Sequence, residues 1–349
     1  MYSLTKHILN LIAILVTEGG MMEQAIKQAK ISEWVSISNK LANEFNIEKY
    51  LPRDDIDNQI LYHYTSLDAL LSMCRNNSIW LSRIDSLNDP TDGKTLVESL
   101  KELLNSHSFA PYQYLNETKY PLNENIYSNS FDLDINVYVL SLVSDGDSLT
   151  MWRFYGHNAI GCSLGIDKKS LQKDMYIKDL NKGIKPRLFF KKVNYGKEKH
   201  EPILLQVVTD FHNLLQDIKD QLKHTDISYY THVLVKWLQS LSPFFKDDCY
   251  SHENEVRLVY DFTDKNGHLK DYLRYRLVND KIVPYIELIN SNELKQNEIS
   301  SFIQSITLGC KSNPDNIHFL KEMYLRTQNN LWKYKDINKY IFQSDKPYR

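Results

Sequence analysis

The tightest constraint on this chain is a change of period at Ser66. Leu61-Tyr62-His63-Tyr64-Thr65 is a short aromatic run suited to a strand, and from Leu67 the residues Leu67, Leu70, Leu71 and Cys74 recur at helical spacing. Strand side chains alternate, so His63 and Thr65 project to one side. Thr65 and Ser66 then open the helix, with Asp68 in its first turn, where a carboxylate suits unpaired backbone N–H groups. A strand, a polar corner and a helix in this order form the kind of corner that ribose and phosphate groups occupy.

Two further polar clusters follow strand-like runs. Val137-Tyr138-Val139-Leu140-Ser141-Leu142-Val143 is apolar and β-branched, Asp145-Gly146-Asp147 makes a turn, and Met151-Trp152-Arg153-Phe154-Tyr155-Gly156 follows. In His252-Glu253-Asn254-Glu255-Val256-Arg257, the residues Glu253, Glu255 and Arg257 alternate and share one strand face. Such a face is either solvated or a polar site. Trp152 and Tyr155 likewise read either as core aromatics or as walls for a ligand ring.

The composition narrows the chemistry. A formal charge of -2 and a pI near 6.6 exclude a wholly basic nucleic-acid binder. One basic strip runs from Lys178 to Lys199, with Lys182, Lys185, Arg187, Lys191, Lys192 and Lys197; it either protects a sheet edge or meets phosphates. Cys74, Cys162, Cys249 and Cys310 are scattered, which predicts neither a zinc site nor a disulfide framework and suits a reducing cytoplasm. The histidines form no H-x-x-x-H or H-E-x-x-H pattern, so no metal site is expected. Phosphate-loop, dinucleotide-fold and nucleophile-elbow glycine motifs do not occur.

Taken in order, the H-Y-T corner, the N-D-P turn at Asn88-Asp89-Pro90, the block from Asp147 to Gly156 and the E-x-E-x-R strand resemble a bacterial family, domain of unknown function 2971 (DUF2971). The resemblance runs from about Leu61 to Met323. Ile306-Thr307-Leu308-Gly309-Cys310 is similar to that family's closing strand and turn, with Cys310 where a proline is often found. The motif order more remotely resembles the ADP-ribosyltransferase superfamily. That resemblance implies NAD as the substrate, with His63, Tyr64, Thr65, Trp152, Tyr155 and Arg257 binding it. It implies Glu255, or else Glu253, together with His63 as the catalytic residues, and a toxin or phage-defence setting. Such a carboxylate would stabilise the oxocarbenium-like centre left as nicotinamide departs, and Arg257 would orient it. The acceptor would be protein, nucleic acid or water, with the basic strip favouring nucleic acid and with an inhibitory partner protein as a possible companion. Two rival readings stay open: a non-catalytic module that senses a nucleotide or binds a partner, and a metal-independent nuclease or phosphotransferase with His63 as general base and Arg153 on phosphates.

The expected architecture is α+β, a mostly antiparallel central sheet of ADP-ribosyltransferase type with helical insertions. Residues 1–52 read as an N-terminal helical segment, 53–330 as the main domain with a helical insert at about 203–241, and 331–349 as a tail ending in a short capping helix. Ile8 to Val16 is apolar but too short to span a bilayer. Thr17-Glu18-Gly19-Gly20 is a poor cleavage site, and Glu-Gly-Gly before Met21 is encodable by a ribosome-binding sequence, so a start at Met21 is expected. Asn105 to Ser130 reads as a long surface excursion, and Asp315 to Gln328 as a helix entered after Pro314.

Overall fold

The computed structural model describes residues 21–53, 56, 59–105, 136–173, 175–177, 187–221, 230–262, 272–278, 280–290, 302–326 and 339–347. The expectations for residues 1–20, for most of the Asn105–Ser130 excursion and for Lys178 to Lys185 lie outside them. Among the described residues the architecture is α+β, built on an 11-stranded, mostly antiparallel sheet.

Strand β1 (Ile60–Thr65) leads through helix α1 (Leu67–Asn76) into β2 (Ser78–Arg83). The Ser66 side chain accepts the Ala69 N–H at 3.2 Å, capping α1 as the change of period predicts. Asn77 ends the helix in the left-handed conformation, at φ 48°. Strand β3 (Val137–Val143) is the hub. One of its edges pairs along its whole length with β4 (Glu255–Asp261), which then pairs with β5 (Arg187–Lys192). Its other edge is divided: β2 takes Tyr138 and Val139, and β1 takes Val143. The two parallel strands β1 and β2 therefore fork along a single edge.

Beyond β1 the sheet continues through Cys162–Asp167 and Ile303–Leu308 to Ile341–Gln343, which runs parallel to its neighbour. This last strand is a departure from the capping helix expected of the tail. Ile341 is buried against Ile306, and burial of that face outweighs the weak helical pattern of a Tyr- and Lys-rich segment. Beyond β2 lie Lys281–Asn290 and then, sharing its far edge, Arg274–Val278 and Met175–Ile177.

Two apolar layers cover the sheet. On one face, Val137, Val139, Val259 and Phe189 pack against helices α2 (Met21–Glu44), α3 (Thr95–Asn105), α4 (Lys197–Lys219) and α5 (Thr231–Leu241). On the other, Leu61, Leu140, Leu164, Val256 and Leu258 meet α1 and the helix Asp315–Arg326. The insert begins earlier than the expected Ile203: α4 starts at Lys197 and carries Pro202 inside it. Pro202 lies beyond the first turn of α4, so the hydrogen bond that an amide there would give the Glu198 carbonyl is forgone. No described helix is long and apolar enough to cross a membrane.

Candidate functional site

Strand β4 is buried at every position, so its alternating charges do not form a solvated face. The register pairs Ser141 with Arg257 and Val143 with Glu255, and it pairs Tyr62 with Val143. Tyr62, Ser141, Val143, Glu255 and Arg257 thus share the sheet face that also carries Val137, Val139 and Val259.

Arg257 has no exposed surface, and all five of its N–H groups are used. Nε donates to Glu255 Oε1 at 2.8 Å, Nη2 donates to Glu255 Oε2 at 3.0 Å and Asp92 Oδ2 at 3.1 Å, and Nη1 donates to Asp92 Oδ1 at 2.7 Å and the Pro243 carbonyl at 2.8 Å. One side chain therefore ties the sheet to the loop before α3 and to the turn after α5. Lys246 adds a second buried cation, donating to Glu253 Oε2 at 2.7 Å and lying 3.5 Å from Glu255 Oε2. The Tyr155 hydroxyl donates to Glu253 Oε1 at 2.5 Å, and the Tyr195 hydroxyl accepts the Glu255 N–H at 2.8 Å.

Burial of this kind raises a carboxyl, but around Glu255 the Arg257 and Lys246 cations outweigh it and hold the group at about 2. Asp92 goes the other way: burial raises it further than Arg257 lowers it, and the Glu255 charge adds to the rise. Burial and the Glu253 hydrogen bond both raise Tyr155, which stays a donor at neutral pH.

His63 neighbours Tyr62 on β1 and alternates to the opposite face from Glu255, in register with Leu164. Its ring turns into the fork between β1 and β2, with Nδ1 3.0 Å from the Ser141 carbonyl. That carbonyl lies between Val139 and Val143, where neither forked strand is registered with β3. Burial, reinforced by the nearby Arg276 charge and opposed by the carbonyl contact, lowers His63 to about 4. The ring is neutral at pH 7, so Nδ1–H donates and Nε2 carries the lone pair.

Trp152 is fully enclosed, its indole N–H donating to Asp147 Oδ1 at 2.7 Å and its ring set edge-on to Tyr64 at 4.9 Å. The Tyr64 hydroxyl donates to the Asp145 carbonyl and accepts the Ser148 N–H, closing the turn after β3. Thr65 ends β1 opposite Cys162. The structure thus joins Tyr155, Glu253, Glu255 and Arg257 in one network. Trp152 and Tyr64 share a small core against which Tyr155 also packs, and His63 stands apart in the strand fork, so these residues do not form one cleft wall. Asp92 and Lys246, which complete the network, belong to no sequence motif with Glu255.

Residues 151–258 match the family described as protein of unknown function (DUF2971). This stretch is a DUF2971 region. It runs from Met151 to Leu258 and includes Tyr155, Lys246, Glu253, Glu255 and Arg257, whereas His63 and Asp92 lie outside it. No curated protein and no solved structure matches the chain.

Beside this network opens a cleft of about 960 Å³. Lys49 and Arg53 line it from one side, and Lys192, Lys197 and Lys199 from the strand and helix start around Gly196, with Glu198 and Asp248 as the lining acids. Tyr195 and Asn254 belong to both places: they line the cleft and flank Glu255. Among the described residues no group of His, Cys, Asp and Glu is arranged to hold a metal ion.

Proposed function

We propose that this chain binds a nucleotide of the NAD class in the basic cleft, as a sensing module. The observation that carries this reading is the convergence of Lys49, Arg53, Lys192, Lys197 and Lys199 on one cavity of about 960 Å³, a size suited to a nucleotide, where Lys49 and Lys197 also pair with Asp210 and Glu102 at 2.6 Å and a phosphate would share or replace those carboxylates. The formal charge of the whole chain is -2, so this concentration of cations is local. The start of α4 adds the positive end of a helix dipole on the same side, favourable for phosphate.

Transfer of ADP-ribose is a second reading, favoured by the position of Glu253 and Glu255 behind Tyr195 and Asn254 at the cleft wall. Against it, the Glu255 side chain is buried with both oxygens already engaged by Arg257 and Lys246, so it presents no exposed oxygen to a ribose hydroxyl. His63 and Glu255 also lie on opposite faces of the sheet, so the pair does not flank one bound sugar. The binding reading expects NAD or ADP-ribose to bind saturably and raise the melting temperature without nicotinamide release. Release abolished by Glu255→Gln would replace it with the transferase reading, and the absence of binding by any nucleotide would sink both.

A further inference from the structure

The described arginines with buried or half-buried side chains differ in one respect. Arg83 pairs with Asp85 at 2.7 Å, Arg187 with Asp261 at 2.5 Å, and Arg257 with Asp92 and Glu255. Arg276, on the edge strand Arg274–Val278, has no carboxylate at ion-pair distance among the described residues. Its Nη2 donates to the Ser82 hydroxyl at 2.8 Å, and its Nε–H is buried with no hydrogen-bond acceptor. Arg276 is half-buried, and a guanidinium partly withdrawn from water with no counter-charge beside it among the described residues is costly.

The surroundings soften that cost without removing it. The guanidinium carbon lies 5.1 Å from the Trp80 ring centre and 5.7 Å from that of Tyr285, and the two rings are 5.1 Å apart. Arg276 pairs with Val283, and Tyr285 pairs with Ser82, so Arg276, Tyr285 and Ser82 share one sheet face. Ser82 in turn pairs with Val139, next to the fork that holds His63. Trp80 keeps part of its surface open.

We propose that Arg276, Ser82, Trp80 and Tyr285 form an oxyanion site at the sheet fork, separate from the basic cleft, that takes a singly charged carboxylate or phosphodiester whose apolar body rests on Trp80. The counter-charge that no described residue provides is what the ligand supplies. Arg276 offers a planar fork suited to two oxygens, and the flanking rings keep it in place before the ligand arrives. His63 stays uncharged beside it at neutral pH, so the site carries one positive charge and matches a monoanion.

The test uses the full chain, labelled with nitrogen-15, at pH 7. Acetate and dimethyl phosphate are titrated separately, with chloride at matched ionic strength as the control, while the arginine Nε–H and tryptophan indole resonances are followed. Arg276→Lys and Trp80→Phe identify the two signals. The expected result is a saturable shift of the Arg276 and Trp80 signals in at least one arm, absent with chloride. Indole-detected affinity should fall by about tenfold in Arg276→Lys, which keeps the charge and loses the fork. The stronger arm names the ligand's headgroup. Signals in folded wild type that respond to neither anion beyond the chloride control would overturn the proposal, as would equal affinity in Arg276→Lys. Charge reversal at Lys199 in the basic cleft leaves this titration unchanged, which keeps the two sites distinguishable.

Discussion

Arg257 and Asp92, 165 residues apart, meet through two parallel contacts of 2.7 and 3.1 Å with neither side chain reaching solvent. The pair fastens the loop before α3 to the central strand β4, and Glu255 takes the remaining edge of the same guanidinium. Such a network stabilises little relative to an apolar core, but breaking it leaves unpaired charge behind. Arg257→Met is therefore expected to lower stability by about 3–5 kcal/mol, and Arg257→Lys by a comparable amount, since an ammonium cannot reach two carboxylates and a carbonyl in one plane. Urea denaturation midpoints check this; an Arg257→Lys midpoint equal to wild type would show that the five-donor geometry is not required.

His63 gives the chain an acid sensitivity with a defined window. Its pKa falls from 6.5 to about 4 on folding, so the unfolded chain binds more protons between those values. Its contribution is fully present above pH 6.5 and lost as pH falls toward 4, a difference of roughly 3 kcal/mol. Glu255 titrates lower, from 4.5 unfolded to about 2 folded, so its stabilisation is lost mainly below pH 4.5. His63→Asn should flatten the stability profile between pH 6.5 and 4.5 and leave the lower limb in place. A wild-type profile already flat across the upper window would contradict the buried, neutral ring.

The loop after Trp152 is strained and closely packed. His157, Asn158 and Ala159 have φ of 53°, 53° and 63°, a left-handed run that costs non-glycine residues about 1–2 kcal/mol each. The Ala159 N–H donates to the Trp152 carbonyl, and the Ala159 carbonyl accepts from Lys311. A Cβ on Gly309 would sit 2.3 Å from that carbonyl oxygen, a backbone atom with no freedom to move aside. Gly309→Ala should therefore destabilise by about 1–3 kcal/mol, read from thermal melts. Wild-type melting in this variant would mean that the loop yields.

Much of the sheet was legible because its strands are bounded by clear turns, as with Val137–Val143 before Asp145-Gly146-Asp147. The corner at Ser66 was legible for the same reason: a period change and a capping hydroxyl coincide. Three features were not. Glu253, Glu255 and Arg257 leave buried and solvated faces equally open in sequence, because their partners Lys246 and Asp92 arrive from other segments. Trp152 and His63 share local signatures with ligand-facing residues, yet one fills a small core and the other a strand fork. Arg276 carried no signal, since the absence of a carboxylate beside it among the described residues is visible only in three dimensions.

The cleft should behave as an electrostatic site. Lys199→Glu and Arg53→Glu are each expected to weaken nucleotide binding by about tenfold at low salt, with the difference narrowing as salt rises. Fluorescence anisotropy of a labelled ADP-ribose across a salt series reads both effects. Equal affinity in wild type and both variants would move the ligand elsewhere.

The most direct measurement is calorimetric titration of the purified chain with NAD and with ADP-ribose, followed by chromatography of the same samples for nicotinamide. The account predicts saturable binding of both ligands, weakened by Lys199→Glu, with NAD recovered intact. Nicotinamide release that depends on Glu255, or no binding of either ligand by the folded chain, would contradict it.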